Sequence, residues 1–277
     1  MLLNIKIDEI IKNALAEDIN YLDIAADYIF DKNAKTTAKF IAKDDGILCG
    51  IDIALRVFEL LDSDVSHTKF KNDGDSIKKG DIIAELTGRT HILLKGERTT
   101  LNFMCHMSGV ATMTNNAVQL LGSTKTVIAD TRKTLPGLRY LQKYAVITGG
   151  GKNHRYNLSD AAMIKDNHID AAGSITAAIT KLKQKIGHMT KIEVETRTLD
   201  EVKEAIAAKA DVIMLDNMTI EQMKEAVDLI NGRLVIEASG NITAENIRKI
   251  AETGVDVISM GAITHSVKAF DISMVIA

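Results

Sequence analysis

Apolar and polar positions along the chain follow two different rhythms. In the first ninety or so residues the apolar ones come in short bursts of strand character, at 36–42, 47–49, 68–70 and 82–86. Turn clusters separate them: Asp44-Asp45-Gly46, Asn72-Asp73-Gly74 and Lys79-Gly80-Asp81. A first helix is predicted over 8–15, where Ile10, Ile11, Ala14 and Leu15 recur at helical spacing, and a second over 51–61. This mixture predicts a small α+β unit, with a mainly antiparallel sheet packed on helices.

Beyond residue 90 a long helical pattern runs through Leu93, Leu94, Leu101, Met104 and Met107 towards Leu120. Strand and helix then alternate. Four apolar strands, at 192–195, 212–215, 234–237 and 255–258, start 20, 22 and 21 residues apart, and two more stand before them at 126–129 and 162–164. Thr198 with Glu201, and Thr219 with Gln222, fit capping boxes, and Thr243 is placed to cap a third helix. Such alternation implies parallel strands joined by right-handed crossovers. A doubly wound sheet and a (β/α) barrel both fit. Polar residues or glycine at the strand ends, Asp130, Lys165, Glu195, Asp216, Ser239 and Gly261, favour the barrel, whose active sites gather at that edge. Six strands leave it incomplete. No Gly-x-Gly-x-x-Gly follows a strand, which argues against a dinucleotide fold.

Composition narrows the class. Of 277 residues 46% are apolar and 26% charged, as in globular proteins, so disorder does not describe the chain. The net charge of −3 gives no general field for nucleic acid. No apolar run approaches the ~18 residues of a membrane span, and the first twenty residues lack an apolar signal core. Two cysteines, Cys49 and Cys105, are too few for a disulfide framework and read as reduced thiols of a cytoplasmic protein.

Candidate chemistry concentrates after the strands. Arg132 and Lys133 put two adjacent cations at the barrel mouth, a planar fork and a compact charge. Gly149-Gly150-Gly151 reads as a flexible loop leading to His154 and Arg155, and Lys165 ends the next strand. Isolated, each would be a solvated surface group; together they imply a polyanionic ligand that relieves their repulsion. Glu193 and Glu195 lie two apart on one strand and share a side, and Asp216 ends the next. Such carboxylates suit sugar hydroxyls or Mg²⁺, and Glu193 equally suits a barrel-interior ion pair. Ser239-Gly240-Asn241 and Ser259-Met260-Gly261 present small residues before helices, as phosphate sites do. The hairpin-like segment 72–83 has the look of a biotinyl or lipoyl carrier but lacks a carrier lysine turn.

In combination these motifs resemble the quinolinate phosphoribosyltransferases. The resemblance is carried by Glu97-Arg98-Thr99, Asp130-Thr131-Arg132-Lys133-Thr134, Gly149 to Arg155, Ile164-Lys165-Asp166-Asn167-His168, Leu215-Asp216-Asn217, Ser239-Gly240 and Gly261-Ala262 with Thr264-His265-Ser266, in order over nearly the whole chain. It implies an α/β sandwich domain over 1–108 and an open, incomplete α/β barrel over 109–277, the C-terminal tail returning to the first domain. It implies conversion of quinolinate and 5-phosphoribosyl 1-diphosphate (PRPP), with Mg²⁺, to nicotinate mononucleotide, diphosphate and CO₂, in a cytoplasmic homodimer that binds neither nucleic acid nor membrane. Arg132, His154, Arg155 and Lys165, with Thr131 beside them, would hold quinolinate, helped by Arg98 of a neighbouring subunit. Lys133 would assist at the substrate or diphosphate; Glu195 and Asp216 would face ribose and metal. Lys133, Lys165, Glu195 and Asp216 would be the catalytic set. Ser239, Gly240, Asn241, Ser259, Met260 and Gly261 would cradle the 5-phosphate, with His265 near by. Asn241 stands where such enzymes commonly have a second glycine. The rival readings are the related molybdenum-system protein and nicotinate phosphoribosyltransferase.

Overall fold

The computed structural model describes residues 4–276. In chain order the elements are α1 (Asn4–Asp18), α2 (Ile24–Ile29), β1 (Lys35–Ala42), β2 (Gly46–Ile47), α3 (Ile51–Leu61), β3 (Ser66–Lys69), β4 (Ser76–Ile77), β5 (Ile82–Arg89), α4 (Thr90–Leu120), β6 (Val127–Ala129), α5 (Arg139–Thr148) and β7 (Ala162–Ile164). There follow α6 (Asp166–Ala172), α7 (Ile175–Lys183), β8 (Ile192–Thr196), α8 (Leu199–Ala207), β9 (Val212–Asp216), α9 (Ile220–Ile230), β10 (Val235–Ser239), α10 (Ile247–Ala251), β11 (Val257–Ser259), α11 (Ala262–His265) and β12 (Ile272–Ile276). They form two compact units, one of residues 4–115, 135–150 and 264–276, the other of residues 116–134 and 151–263.

The first unit is built on the antiparallel sheet β12-β1-β5-β3. In β1 every second residue from Ala38 is buried, as a sheet with one covered face requires. Ala38, Phe40 and Ala42 meet Leu86 and Ala84 of β5, and Ile51, Ala54, Leu55 and Phe58 of α3 with Leu93, Leu101 and Met104 of α4 complete one apolar core. β12 closes the sheet on β1, with Ala42 opposite Ile272. The carrier-like segment has a structural task here. Asp73 Oδ1 accepts the amides of Gly50 and Ile51 at 2.8 and 3.0 Å and so caps α3 from a distant turn. Gly149 is no flexible loop residue: it ends α5, and a Cβ there would collide with the Ala111 carbonyl oxygen. The triple glycine therefore begins as a packing requirement.

The second unit is a six-stranded parallel sheet in the order β6-β11-β10-β9-β8-β7. The chain enters at one edge, crosses to the other, and returns strand by strand until β11 lies beside β6. β6 and β7 stay unpaired with one another, so the barrel is open, as its six strands predict. At the N-terminal edge one device recurs. Asp211 and Asp256, each just before a strand, accept the amide of Ile192 and Ile236 on a neighbouring strand at 2.9 and 2.8 Å. Thr198 and Thr219 cap α8 and α9, and Thr219 completes a full box with Gln222. Thr243 does not cap the third helix. Its amide instead donates to Asn246 Oδ1 at 2.8 Å, closing a turn, and α10 begins only at Ile247.

Candidate active site

At the C-terminal edge of the parallel sheet lies a cavity of about 660 Å³, within the size range of small-molecule sites. Parallel register brings its walls together from distant parts of the sequence. Asp216 pairs with Ser239, and Glu195, Met214 and Glu237 fall on one row across three strands. All five line the cavity.

One wall is cationic. Arg132 and Lys133 follow β6, Arg155 follows the segment that bridges to β6 at Lys152, and Lys165 directly follows β7. The Thr131 hydroxyl accepts the Lys133 amide at 3.0 Å, which shapes the turn. Burial, and then the nearby positive Arg132, pull the Arg155 guanidinium below its ordinary value. Lys165 Nζ donates to Glu195 Oε1 at 2.6 Å, tying the cationic wall to an acidic group. The His168 ring folds back to accept the Lys165 amide at 3.0 Å, so the Lys165-Asp166-Asn167-His168 run fixes the lysine at the start of α6.

The next strands, β8 and β9, bring Glu195 and Asp216 to the same cavity, and the turn Ser239-Gly240-Asn241 after β10 lines it as well. Gly240 has φ +94°, and a Cβ there would collide with the Asn217 side chain. Asn241, at φ +50°, donates from Nδ2 to Asn217 Oδ1 at 3.0 Å. The position is left-handed, which asparagine tolerates better than other side chains, so the asparagine fits where glycine would.

Of the floor group the sequence offers His154 and, as one of two readings, Glu193 in an interior ion pair, but not Glu237. Glu237 lines the cavity yet is only 4% exposed, and Glu193 beside it is 5% exposed. Burial first, then the neighbouring Glu193, push the Glu237 carboxyl up to about 7. His154 Nε2 lies 3.0 Å from Glu193 Oε2 and 3.5 Å from Glu237 Oε2. Met163, Met214 and Asn217 also line the cavity without having been singled out. A carboxylate inside the apolar run Val235-Ile236-Glu237-Ala238 was the available signal.

Of the residues proposed from sequence, Thr131, Arg132, Lys133, His154, Arg155, Lys165, Glu195, Asp216, Ser239, Gly240, Asn241 and Ser259 all line this one cavity. Met260 and Gly261 do not; Met260, 8% exposed, donates its amide to Ala129 at 2.9 Å. Arg98 lies exposed on α4, and His265 lies exposed with Nδ1 2.7 Å from Ser266 Oγ; both belong to the first unit. Both cysteines are free. Among the described residues no helix is long and apolar enough to cross a membrane.

Comparison with known proteins gives a consistent picture. Residues 23–108 match the family model "Quinolinate phosphoribosyl transferase, N-terminal domain", and residues 110–275 match that of the C-terminal domain. The chain is 46% identical over 271 residues to the probable nicotinate-nucleotide pyrophosphorylase [carboxylating] of Bacillus subtilis, covering 98% of this chain and 93% of that one. Among solved structures, the nicotinate-nucleotide pyrophosphorylase of Francisella tularensis superposes with a TM-score of 0.96 at 44% identity, and NadC of Streptococcus pyogenes with 0.97 at 42%. Each comparison covers 100% of this chain and 98% of the other.

Proposed function

Because the chain belongs to the quinolinate phosphoribosyl transferase family, we propose that it transfers the 5-phosphoribosyl group of PRPP to the ring nitrogen of quinolinate, releasing diphosphate and CO₂ and leaving nicotinate mononucleotide. The observation that carries this reading is one cavity lined together by Arg132, Arg155 and Lys165, by Glu195 and Asp216, and by the turn Ser239-Gly240-Asn241. Arginine forks and a lysine suit a dicarboxylate, and neutralising it relieves their mutual repulsion. The Ser239-Gly240-Asn241 turn offers backbone amides to the 5-phosphate.

Departure of diphosphate builds positive charge on the sugar. Glu195 and Asp216 stabilise that charge and hold the ribose hydroxyls, while the cationic wall fixes the pyridine nitrogen about 3–3.5 Å from the anomeric carbon. The N–C bond forms as the C–O bond to diphosphate breaks. The ring nitrogen is then cationic, and its charge stabilises the electron pair left on C2 when the 2-carboxyl departs as CO₂. The resulting carbanion takes a proton, and Lys165 is the group placed to supply or orient it. Glu195 and Asp216 form an oxygen-only donor set that suits Mg²⁺ entering with PRPP, better than the His154-Glu193-Glu237 group, which contains a nitrogen. When bound, the ion would neutralise the diphosphate leaving group.

Arg98 is read, from the family resemblance, as reaching the cavity of a neighbouring subunit in a two-fold dimer. A cytoplasmic setting fits the free thiols. The testing experiment incubates purified protein with quinolinate, PRPP and Mg²⁺ and follows CO₂ and diphosphate. Stoichiometric release of both supports the reading; release of neither refutes it.

A further inference from the structure

The group of His154, Glu193 and Glu237 at the cavity floor has a task that the transfer reaction does not assign. His154 is tied down on three sides. Its backbone amide donates to Asp130 Oδ1 at 2.9 Å, and Asp130 is fully buried. Its Nδ1 accepts the amide of the next residue, Arg155, at 2.8 Å. With that lone pair engaged, the ring proton sits on Nε2, 3.0 Å from Glu193 and 3.5 Å from Glu237. Both ring nitrogens are thus directed at protein atoms. Arg155, placed by this ring, anchors Nη1 on the Ala161 carbonyl at 2.8 Å and lines the cavity.

We propose that Glu193 and Glu237 are positioning residues that orient the His154 imidazole through its Nε2–H, and that His154, whose Nδ1 is kept unprotonated by the Arg155 amide it accepts, is a strut setting the Arg155 fork. Glu193 Oε1 is buried without a hydrogen-bond partner, so that carboxylate is not drawn away from the ring by another group. Two carboxylates converging on one ring nitrogen fix its orientation more firmly than one would. A misplaced guanidinium at a dicarboxylate clamp loses both its parallel hydrogen bonds at once. This inference rests on the quinolinate reading only for its kinetic arm.

The structural arm needs no substrate. Protein with ¹⁵N-labelled histidine, the His154 signals identified by their loss in His154→Gln, reports the tautomer directly in long-range ¹H–¹⁵N spectra. The expected result is a neutral ring with Nε2 protonated, in free protein and with quinolinate added. An imidazolium, or transfer of the proton to Nδ1 on adding quinolinate, would overturn the proposal. In the kinetic arm, Glu237→Ala should raise KM for quinolinate roughly ten- to a hundredfold, with a smaller change for PRPP. Glu237→Gln, which keeps an oxygen for the Nε2–H, should recover most of that loss. His154→Ala should add little in the Glu237→Ala background, because both act through Arg155. Additive losses, or an unmoved quinolinate KM in Glu237→Ala, would contradict it. Wild-type protein inert towards quinolinate would refute the proposed function instead, and the tautomer would still decide the strut.

Discussion

The first unit of this molecule and the cavity of the second handle charge in opposite ways. In the first, most perturbed acids are paired with cations: Arg56, Lys95 and Arg89 hydrogen-bond Asp8, Asp27 and Asp62 and hold each carboxyl below its ordinary value, and the exception, Asp73, raised by burial, is met by the Gly50 and Ile51 amides and the Tyr144 hydroxyl. In the second, the cavity groups are set against their neighbours. Arg155 is driven down by burial and by Arg132, and Glu237 up by burial and by Glu193. Paired charges stabilise a fold. Crowded like charges, left so by the fold, mark where an oppositely charged ligand completes the structure. The sheets differ in the same sense. Alternating burial in β1 serves a core, whereas the buried parallel strands deliver their C-terminal residues to one edge.

The largest effect expected from breaking this contrast is at Lys165. Lys165→Ala should lower turnover roughly a hundredfold or more while the melting temperature stays near wild type. Kinetics beside a thermal melt check this, and a large fall in melting temperature with turnover intact would reverse the reading. The first unit should answer the other way. Phe58, fully buried in its core, should cost about 3–5 kcal/mol of stability when cut to alanine, seen in urea unfolding, while quinolinate KM in the folded fraction holds.

A subtler test sharpens the electrostatic side. Glu237 has an ordinary value of 4.5 raised to about 7, so between these pH values the folded protein binds more protons than the unfolded chain. Its contribution to stability is fully present below pH 4.5 and is lost as pH rises through 7. Glu237→Gln should therefore flatten the melting temperature against pH across that window. Parallel curves for variant and wild type would count against a stressed carboxyl. The smallest effect expected is at Thr219, whose replacement by alanine removes one helix cap far from the chemistry. A loss of about 1 kcal/mol in urea unfolding, with unchanged kinetics, is expected.

The sequence makes most of the second unit legible because buried parallel strands read as continuous apolar runs. The strand at 162–164 is found as read, and the others begin or end within a few residues. Cavity residues are legible where they follow such runs, as Asp216 and Ser239 do. Glu237 escapes because nothing local separates a floor carboxylate from a structural one; only its register with Met214 and Glu195 does so. The role of His154 was equally hidden. A histidine beside an arginine reads as a cation for the ligand, and only the contacts of its ring with Glu193 and with the Arg155 amide show what else it touches. Thr243 failed as a cap because an asparagine three residues on competes for the same turn.

The central claim is that the cationic wall is built for two carboxylates. The most direct test compares kcat/KM for quinolinate and for nicotinate, which lacks one of them, at saturating PRPP. The account predicts a preference for quinolinate of roughly a hundredfold or more, because the smaller acid leaves part of the clamp desolvated and unpaired. Comparable values for the two acids would contradict it.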